Sequence, residues 1–249
     1  MALCHLNYYS NALGKQTAAY VLLPEVGNGP FSVMYLFHGL SDDYTIWLRR
    51  TSIERYVAHL PLMVVMPDSG RGFYCDAVQG FQYDAALGVE LVDRIDRTFP
   101  TKATRAGRCT TGLSMGGYGA LKLALAHPDR FCSAVSHSGA VAFGHKVMQH
   151  RPEAISEWER ILGQEQMSGG GPNDLYRLAT ETPPETLPTM RIDCGVDDFL
   201  IDDNRAFHAF LDEQQVPHEY AEYPGAHTWE YWDEHVQEAI AFHRPALGI

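Results

Sequence analysis

Three short runs near the start of the chain are almost wholly apolar: A-Y-V-L-L-P (Ala19–Pro24), S-V-M-Y-L-F-H (Ser32–His38) and L-M-V-V-M-P (Leu62–Pro67). Runs of this length without polar interruption predict strands covered on both faces, as in the middle of a parallel sheet. An earlier run, L-C-H-L-N-Y-Y from Leu3, fits a strand that pairs with the Ala19 run as an antiparallel hairpin. The period then changes. Leu87, Leu91, Ile95 and Phe99 recur at i, i+4 steps within Tyr83–Phe99, which predicts a helix ended by Pro100. Strands and helices alternate from there. The pattern predicts a strand ending at Leu113, a helix over Met115–His127, and a strand through F-C-S-A-V-S-H-S-G. A strand M-R-I-D-C-G closes at Gly195, and a helix from about Asp202 to Gln214 follows, with Phe207, Phe210 and Leu211 on its apolar face. A strand over His218–Tyr223 and a terminal helix over Trp229–His243 complete the pattern. Such alternation predicts an α/β chain with a mostly parallel central sheet, helices on both faces and right-handed crossovers.

One region breaks the rhythm. From Phe143 to about Leu187 there is a helix-like piece (Glu153–Leu162), then S-G-G-G-P-N, then a proline-rich connector. The stretch is longer than an ordinary connection. It reads either as a surface insertion or as a cap that shapes a pocket. The length of 249 residues fits one large domain or two small ones. The element pattern favours a single domain over residues 1–249, with 143–187 as a short cap-like insertion.

Composition narrows the function classes. Apolar residues make up 45 % and charged residues 20 %, enough for a sizeable core. A net charge of −12 argues against nucleic acid or an anionic membrane surface as partner. The first residues, M-A-L-C-H-L-N-Y-Y-S, have neither the basic nor the apolar region of a secretory signal. No segment approaches the ~20 apolar residues of a membrane span. Five cysteines, Cys4, Cys75, Cys109, Cys132 and Cys194, form an odd set with no C-x-x-C pair. They read as buried free thiols in a reducing compartment, which by default is the cytoplasm.

The candidate chemistry lies in R-C-T-T-G-L-S-M-G-G-Y-G (Arg108–Gly119). Gly112-Leu113-Ser114-Met115-Gly116 matches G-x-S-x-G, a weak signal alone. Its setting raises it: a strand precedes and a helix follows, as a nucleophile elbow requires. The glycines also suit a tight packing turn. Under the functional reading, the Ser114 hydroxyl projects above the carboxyl ends of the strands, where the following helix directs its free N–H groups. A serine hydroxyl needs a base, and the base needs an orienting acid. Among twelve histidines, His227 stands out, in the turn Y-P-G-A-H-T-W-E between the last strand and the last helix. His38 ends a strand before the elbow and reads as structural support; His137 sits in a buried-looking strand. The acid is expected in Gly195-Val196-Asp197-Asp198, and local chemistry does not separate Asp197 from Asp198. Asp202 and Asp203 are the better candidates to cap the next helix. Two oxyanion donors are expected: the Met115 N–H and, from F-H-G-L-S-D-D (Phe37–Asp43), the Leu40 N–H.

With these pieces in place, the sequence resembles the putative-esterase branch of the α/β hydrolases. That branch includes tributyrin esterases, S-formylglutathione hydrolases, feruloyl and acetyl esterases and mycolyltransferases. The likeness runs through N-Y-Y-S-N-A-L-G-K-Q, H-G-L-S-D-D-Y-T-I-W-L-R-R-T-S-I-E-R-Y, G-L-S-M-G-G-Y-G-A, R-I-L-G, C-G-V-D-D-F-L-I-D-D-N and G-A-H-T-W-E-Y-W. It is strongest toward the tributyrin esterases and spans nearly the whole chain. The resemblance implies an α/β-hydrolase fold, Ser114 as nucleophile, His227 as base and Asp198 as acid, with Leu40 and Met115 as oxyanion donors. Trp47 and Trp229 flank the motifs and are expected either to line the site or to pack. Ser41 stands where S-formylglutathione hydrolases carry a cysteine, a departure that weighs against glutathione thioesters.

The implied reaction is hydrolysis of a small-molecule, short-chain acyl ester through an acyl-enzyme. It needs no cofactor, and no metal-ligand motif or phosphate loop is present in the sequence. Two rivals stand beside it: transfer of the acyl group to another acceptor, or deacylation of acetylated or feruloylated sugars, and a silent hydrolase fold kept for binding. The sequence is compatible with a homo-oligomer.

Overall fold

A computed structural model describes residues 1–147 and 152–249. Eight strands form one sheet in the order β1-β2-β4-β3-β5-β6-β7-β8. They are β1 (Ala2–Ser10), β2 (Lys15–Leu23), β3 (Ser32–Phe37), β4 (Leu62–Pro67), β5 (Arg108–Leu113), β6 (Ser133–His137), β7 (Thr189–Gly195) and β8 (Glu219–Tyr223). The expected hairpin is present: β1 pairs antiparallel with β2 from Ala2↔Leu23 to Ser10↔Lys15. β2 also runs antiparallel to β4, and every later neighbour is parallel.

The apolar runs fold this way because each supplies both faces. In β3, Val33, Tyr35 and Phe37 join one core cluster while Met34 and Leu36 join the other. The first cluster lies under α3 (Leu91–Thr98), α4 (Met115–Ala126) and α7 (Ile201–Glu213). The second lies under α1 (Ile46–Arg50), α2 (Ile53–Val57) and α8 (Trp229–Leu247). β5 shows the division residue by residue. The Thr110 hydroxyl donates to Ala120 O on α4, while Thr111 bonds to His243 on α8.

Neighbours β3 and β5 therefore lead to opposite faces, β3 into α1 and α2, β5 into α4. That is a topological switch point, and it opens a crevice beyond the carboxyl ends of the two strands.

The stretch 143–187 carries α5 (Ile155–Leu162) and α6 (Leu175–Glu181). Residues 148–151 of the expected insertion lie outside the described residues. The helix-like piece expected from Glu153 begins as a 3₁₀ turn over Pro152–Ala154. α6 is a correction to the expected connector, and its start is set by Asp174, whose side chain accepts from Tyr176 N–H. The insertion is tied to the loop after β4. Arg71 pairs with Glu157 through two bonds of 2.7 Å, and the Val78 and Gln79 N–H groups donate to Ile161 and Arg160 carbonyls. A cavity of about 360 Å³ lies at this junction, lined in part by Tyr83, Phe81 and Ile161.

Candidate active site

Ser114 sits between β5 and α4 with φ 54° and ψ −118°. For a side chain with a Cβ that conformation costs about 1–3 kcal/mol, and it persists only where the surroundings impose it. Here they do. Ser114 N–H donates to His137 O at 2.9 Å, and Ala140 N–H donates to Ser114 O at 3.0 Å. The flanking glycines are required by close approach. A Cβ on Gly112 would stand 2.2 Å from Gly116 O, and one on Gly116 2.5 Å from Phe37 O and 2.6 Å from His38 O.

The three side chains expected from distant segments meet here. Ser114 Oγ lies 3.0 Å from His227 Nε2, and His227 Nδ1 lies 2.8 Å from Asp198 Oδ2. An ionised carboxylate only accepts, so Nδ1 carries the proton and Nε2 accepts from the serine. Asp198 is 2 % exposed, and its other oxygen accepts the Leu200 N–H at 2.8 Å. Asp197 is exposed. The carboxylate thus has both oxygens satisfied in a buried setting, which fixes the imidazole's orientation.

Asp202 and Asp203 do not cap α7. They stand in its first turn, with Leu200 at the cap position and no side-chain cap bond. Asp198 instead accepts from the backbone just ahead of the helix, which leaves the cap position without a side-chain partner.

Leu40 and Met115 are positioned by different means. Met115 opens α4, and its N–H belongs to the unpaired first turn of a twelve-residue helix. Leu40 follows a segment pressed against the serine: a Cβ on Gly39 would lie 2.8 Å from Leu113 Cδ1 and 3.8 Å from Ser114 Cβ. Among the described residues neither N–H is engaged by an acceptor.

His38 explains how the Leu40 peptide is held. Ser69 N–H donates to His38 Nε2 at 2.9 Å, so the ring proton is on Nδ1. That proton goes to Gly39 O at 2.7 Å, where Asp42 N–H also donates at 3.2 Å. Gly39 C=O and Leu40 N–H belong to one trans peptide and point in opposite directions. Anchoring the carbonyl therefore aims the N–H. Sequence reasoning reached a supporting role for His38, but not this contact with Ser69, which lies 31 residues away. Burial raises the nearby Asp42 carboxyl above its usual range.

His137 is 0 % exposed and bonded to both oxygens of buried Asp193, at 2.9 and 2.8 Å. It cannot reach an exposed substrate. Trp47 is 1 % exposed, and its indole N–H donates to Phe37 O at 3.0 Å, so this residue packs. Half-buried Trp229 stands edge-on to Trp47 at 5.4 Å and to Trp232 at 5.2 Å, and Trp232 meets the His227 ring at 4.9 Å. Phe199 was not anticipated. It is 50 % exposed with its ring 4.5 Å from that of His227, and its only trace in the sequence is an apolar residue directly after Asp198.

All five cysteines are free. Burial raises the thiols of Cys75, Cys109, Cys132 and Cys194, which keeps them protonated and unreactive. Among the described residues no helix is long and apolar enough to cross a membrane.

Comparison with known proteins gives the family and supports the fold. Residues 10–243 match the family described as "Putative esterase". An acetyl esterase from Caldicellulosiruptor saccharolyticus is 28 % identical, over 96 % of this chain and 97 % of that protein. Among solved structures, the substrate-bound fluorophosphonate-binding serine hydrolase F of Staphylococcus aureus is 31 % identical with a TM-score of 0.86, covering 97 % of this chain and 98 % of that one. The S-formylglutathione hydrolase FrmB of the same organism is also 31 % identical, with a TM-score of 0.82 over 98 % and 99 % of the two chains. With the fold, the serine corner and the matched span in agreement, the chain belongs to the "Putative esterase" family and is a carboxylesterase of the α/β-hydrolase fold.

Proposed function

We propose that the protein hydrolyses short-chain acyl esters through an acyl-enzyme formed on Ser114. The observation that carries this reading is the unbroken line from Ser114 Oγ through His227 to buried Asp198, at 3.0 and 2.8 Å. Ser114 attacks the ester carbonyl as His227 Nε2 takes its proton. Asp198 stabilises the imidazolium that forms. The tetrahedral oxyanion is held by the Leu40 and Met115 N–H groups, worth about 10²–10³ in turnover per donor. His227 then protonates the departing alcohol, and water activated by the same imidazole releases the acid. These steps use side chains and backbone of this chain alone, with no cofactor. The preference for short acyl groups is drawn from likeness to an acetyl esterase. The free thiols support a reducing compartment such as the cytoplasm.

Ser114→Ala tests the proposal. Hydrolysis of p-nitrophenyl acetate should vanish while the circular dichroism and melting temperature stay near wild type. Wild-type turnover in that variant refutes it. Rates across p-nitrophenyl esters of increasing acyl length, with methyl ferulate and acetylated xylan alongside, test the substrate class.

A further inference from the structure

Two imidazoles and a carboxylate that the ester chemistry leaves unused meet where α7 turns into β8. His208 and Asp212 stand one turn apart on α7, and His218 immediately precedes β8. His208 Nδ1 lies 2.7 Å from His218 Nε2, and His208 Nε2 lies 3.6 Å from Asp212 Oδ2. One ligating atom from each residue can be chosen so that all lie within 4.8 Å of one another.

The protonation pattern is what gives the cluster its chemistry. His218 Nδ1 is 2.9 Å from the Val216 carbonyl, which can only accept. The proton is therefore on Nδ1, and Nε2 presents a lone pair toward His208. An imidazole that donates one nitrogen to a backbone carbonyl and offers the other is set up as a metal ligand. The His208 ring is held too, stacked on Tyr220 at 4.2 Å with 9° between planes. Asp212 is the adaptable member, its side chain 65 % exposed. Two nitrogens bound to one zinc ion stand about 3.3 Å apart, from Zn–N near 2.05 Å and a tetrahedral angle. The rings need to open by only about 0.6 Å, a small rotation at a partly exposed site. The charged neighbours on these elements include Glu213, exposed, Glu219, exposed and paired with Arg191 at 3.0 Å, and Glu222, which is paired with Arg205 at 2.8 and 2.7 Å.

We propose that His208, Asp212 and His218 form a binding site for a divalent transition-metal ion of the zinc class, a clip joining α7 to the start of β8. Two imidazoles and one carboxylate select such an ion over calcium or magnesium, which demand mostly oxygen ligands. Binding breaks the ring-to-ring hydrogen bond. His208 moves its proton from Nδ1 to Nε2 through solvent, both rings stay neutral, Asp212 enters ionised, and water completes the shell. No electron transfer is involved. Because the set forms only in the folded chain, the bound ion stabilises it.

The test titrates the untagged, chelator-treated full chain with ZnCl₂ by calorimetry and with CoCl₂ by visible absorption. One zinc ion per chain is expected, with a raised melting temperature and no comparable heat from calcium or magnesium. His218→Ala and Asp212→Asn should each weaken zinc binding by at least about 10-fold, and His59→Ala, at an exposed position elsewhere, should not. Asp212→Asn keeps its volume at an exposed position and so guards against loss through misfolding. Binding of undiminished strength in the His208→Ala/His218→Ala double variant overturns the site. So does unchanged affinity in Asp212→Asn, or no zinc bound at roughly 100 μM.

Discussion

Gly116→Ala separates the geometry of the site from the stability of the fold. The added methyl would stand 2.5 Å from Phe37 O and 2.6 Å from His38 O, where ordinary contact begins near 3.4 Å. The shortfall is about 0.9 Å, and both obstacles are backbone, so the end of β3 or the start of α4 must shift by nearly that amount. Both lead straight to the proposed oxyanion donors, since Leu40 lies two residues after His38 and Met115 opens the helix. A misplacement of about 1 Å can cost 10²-fold, and one lost oxyanion donor about 10²–10³. The expected fall in kcat is therefore roughly 10²–10³, or about 3–4 kcal/mol. Stability should change less. Overpacking costs about 1–3 kcal/mol, while replacing glycine with alanine in a helix returns up to about 1 kcal/mol. The assay is kcat for p-nitrophenyl acetate beside urea denaturation of the same preparation. A variant with kcat within about threefold of wild type would refute the reasoning, because the oxyanion geometry would not depend on this contact.

Asp198→Asn should lower kcat by about 10⁴ through the wrong imidazole tautomer, while exposed Asp197→Asn stays near wild type; steady-state kinetics giving the reverse ranking would reassign the acid. His243, fully buried between Thr111 and Ser133, has its pKa pushed down to about 3 by burial and by nearby His137. The unfolded chain, with a histidine pKa near 6.5, binds that proton first, so this residue's share of stability is complete above about pH 6.5 and is lost as pH falls toward 3. The loss between pH 7 and pH 5 should be on the order of 2 kcal/mol. Urea unfolding of His243→Gln should show a shallower dependence over that interval; an unchanged slope would refute this assignment.

Most of the sheet was legible because its strands are apolar on both faces, a demand that only a covered sheet makes. The candidate site was legible for a related reason. Ser114 follows β5 directly, and Asp198 and His227 come three and four residues after β7 and β8, so the strand ends place all three candidate residues along one edge. The choice between Asp197 and Asp198 was not open to local reading, since either carboxylate has the right chemistry. Burial and the Leu200 N–H distinguish them, and both depend on the folded loop. α1 and α2, five residues each, were missed because so short a segment shows no periodicity. The segment before α3 is a π-helix over Ala85–Glu90, indistinguishable from α by apolar spacing alone. The last helix runs past the expected His243 to Leu247 with Pro245 in its final turn, and Gly248, at φ 69°, closes it.

The Ser114 corner has a consequence for how the enzyme spends its working cycle. Main-chain bonds to His137 and Ala140 grip the residue on both sides, independent of any substrate. The unfavourable backbone conformation is thus imposed when the chain folds, once per molecule, and does not have to be re-created at every turnover. Under the proposed mechanism an arriving ester meets a serine whose backbone is already bent, so forming that corner draws nothing from the energy of binding.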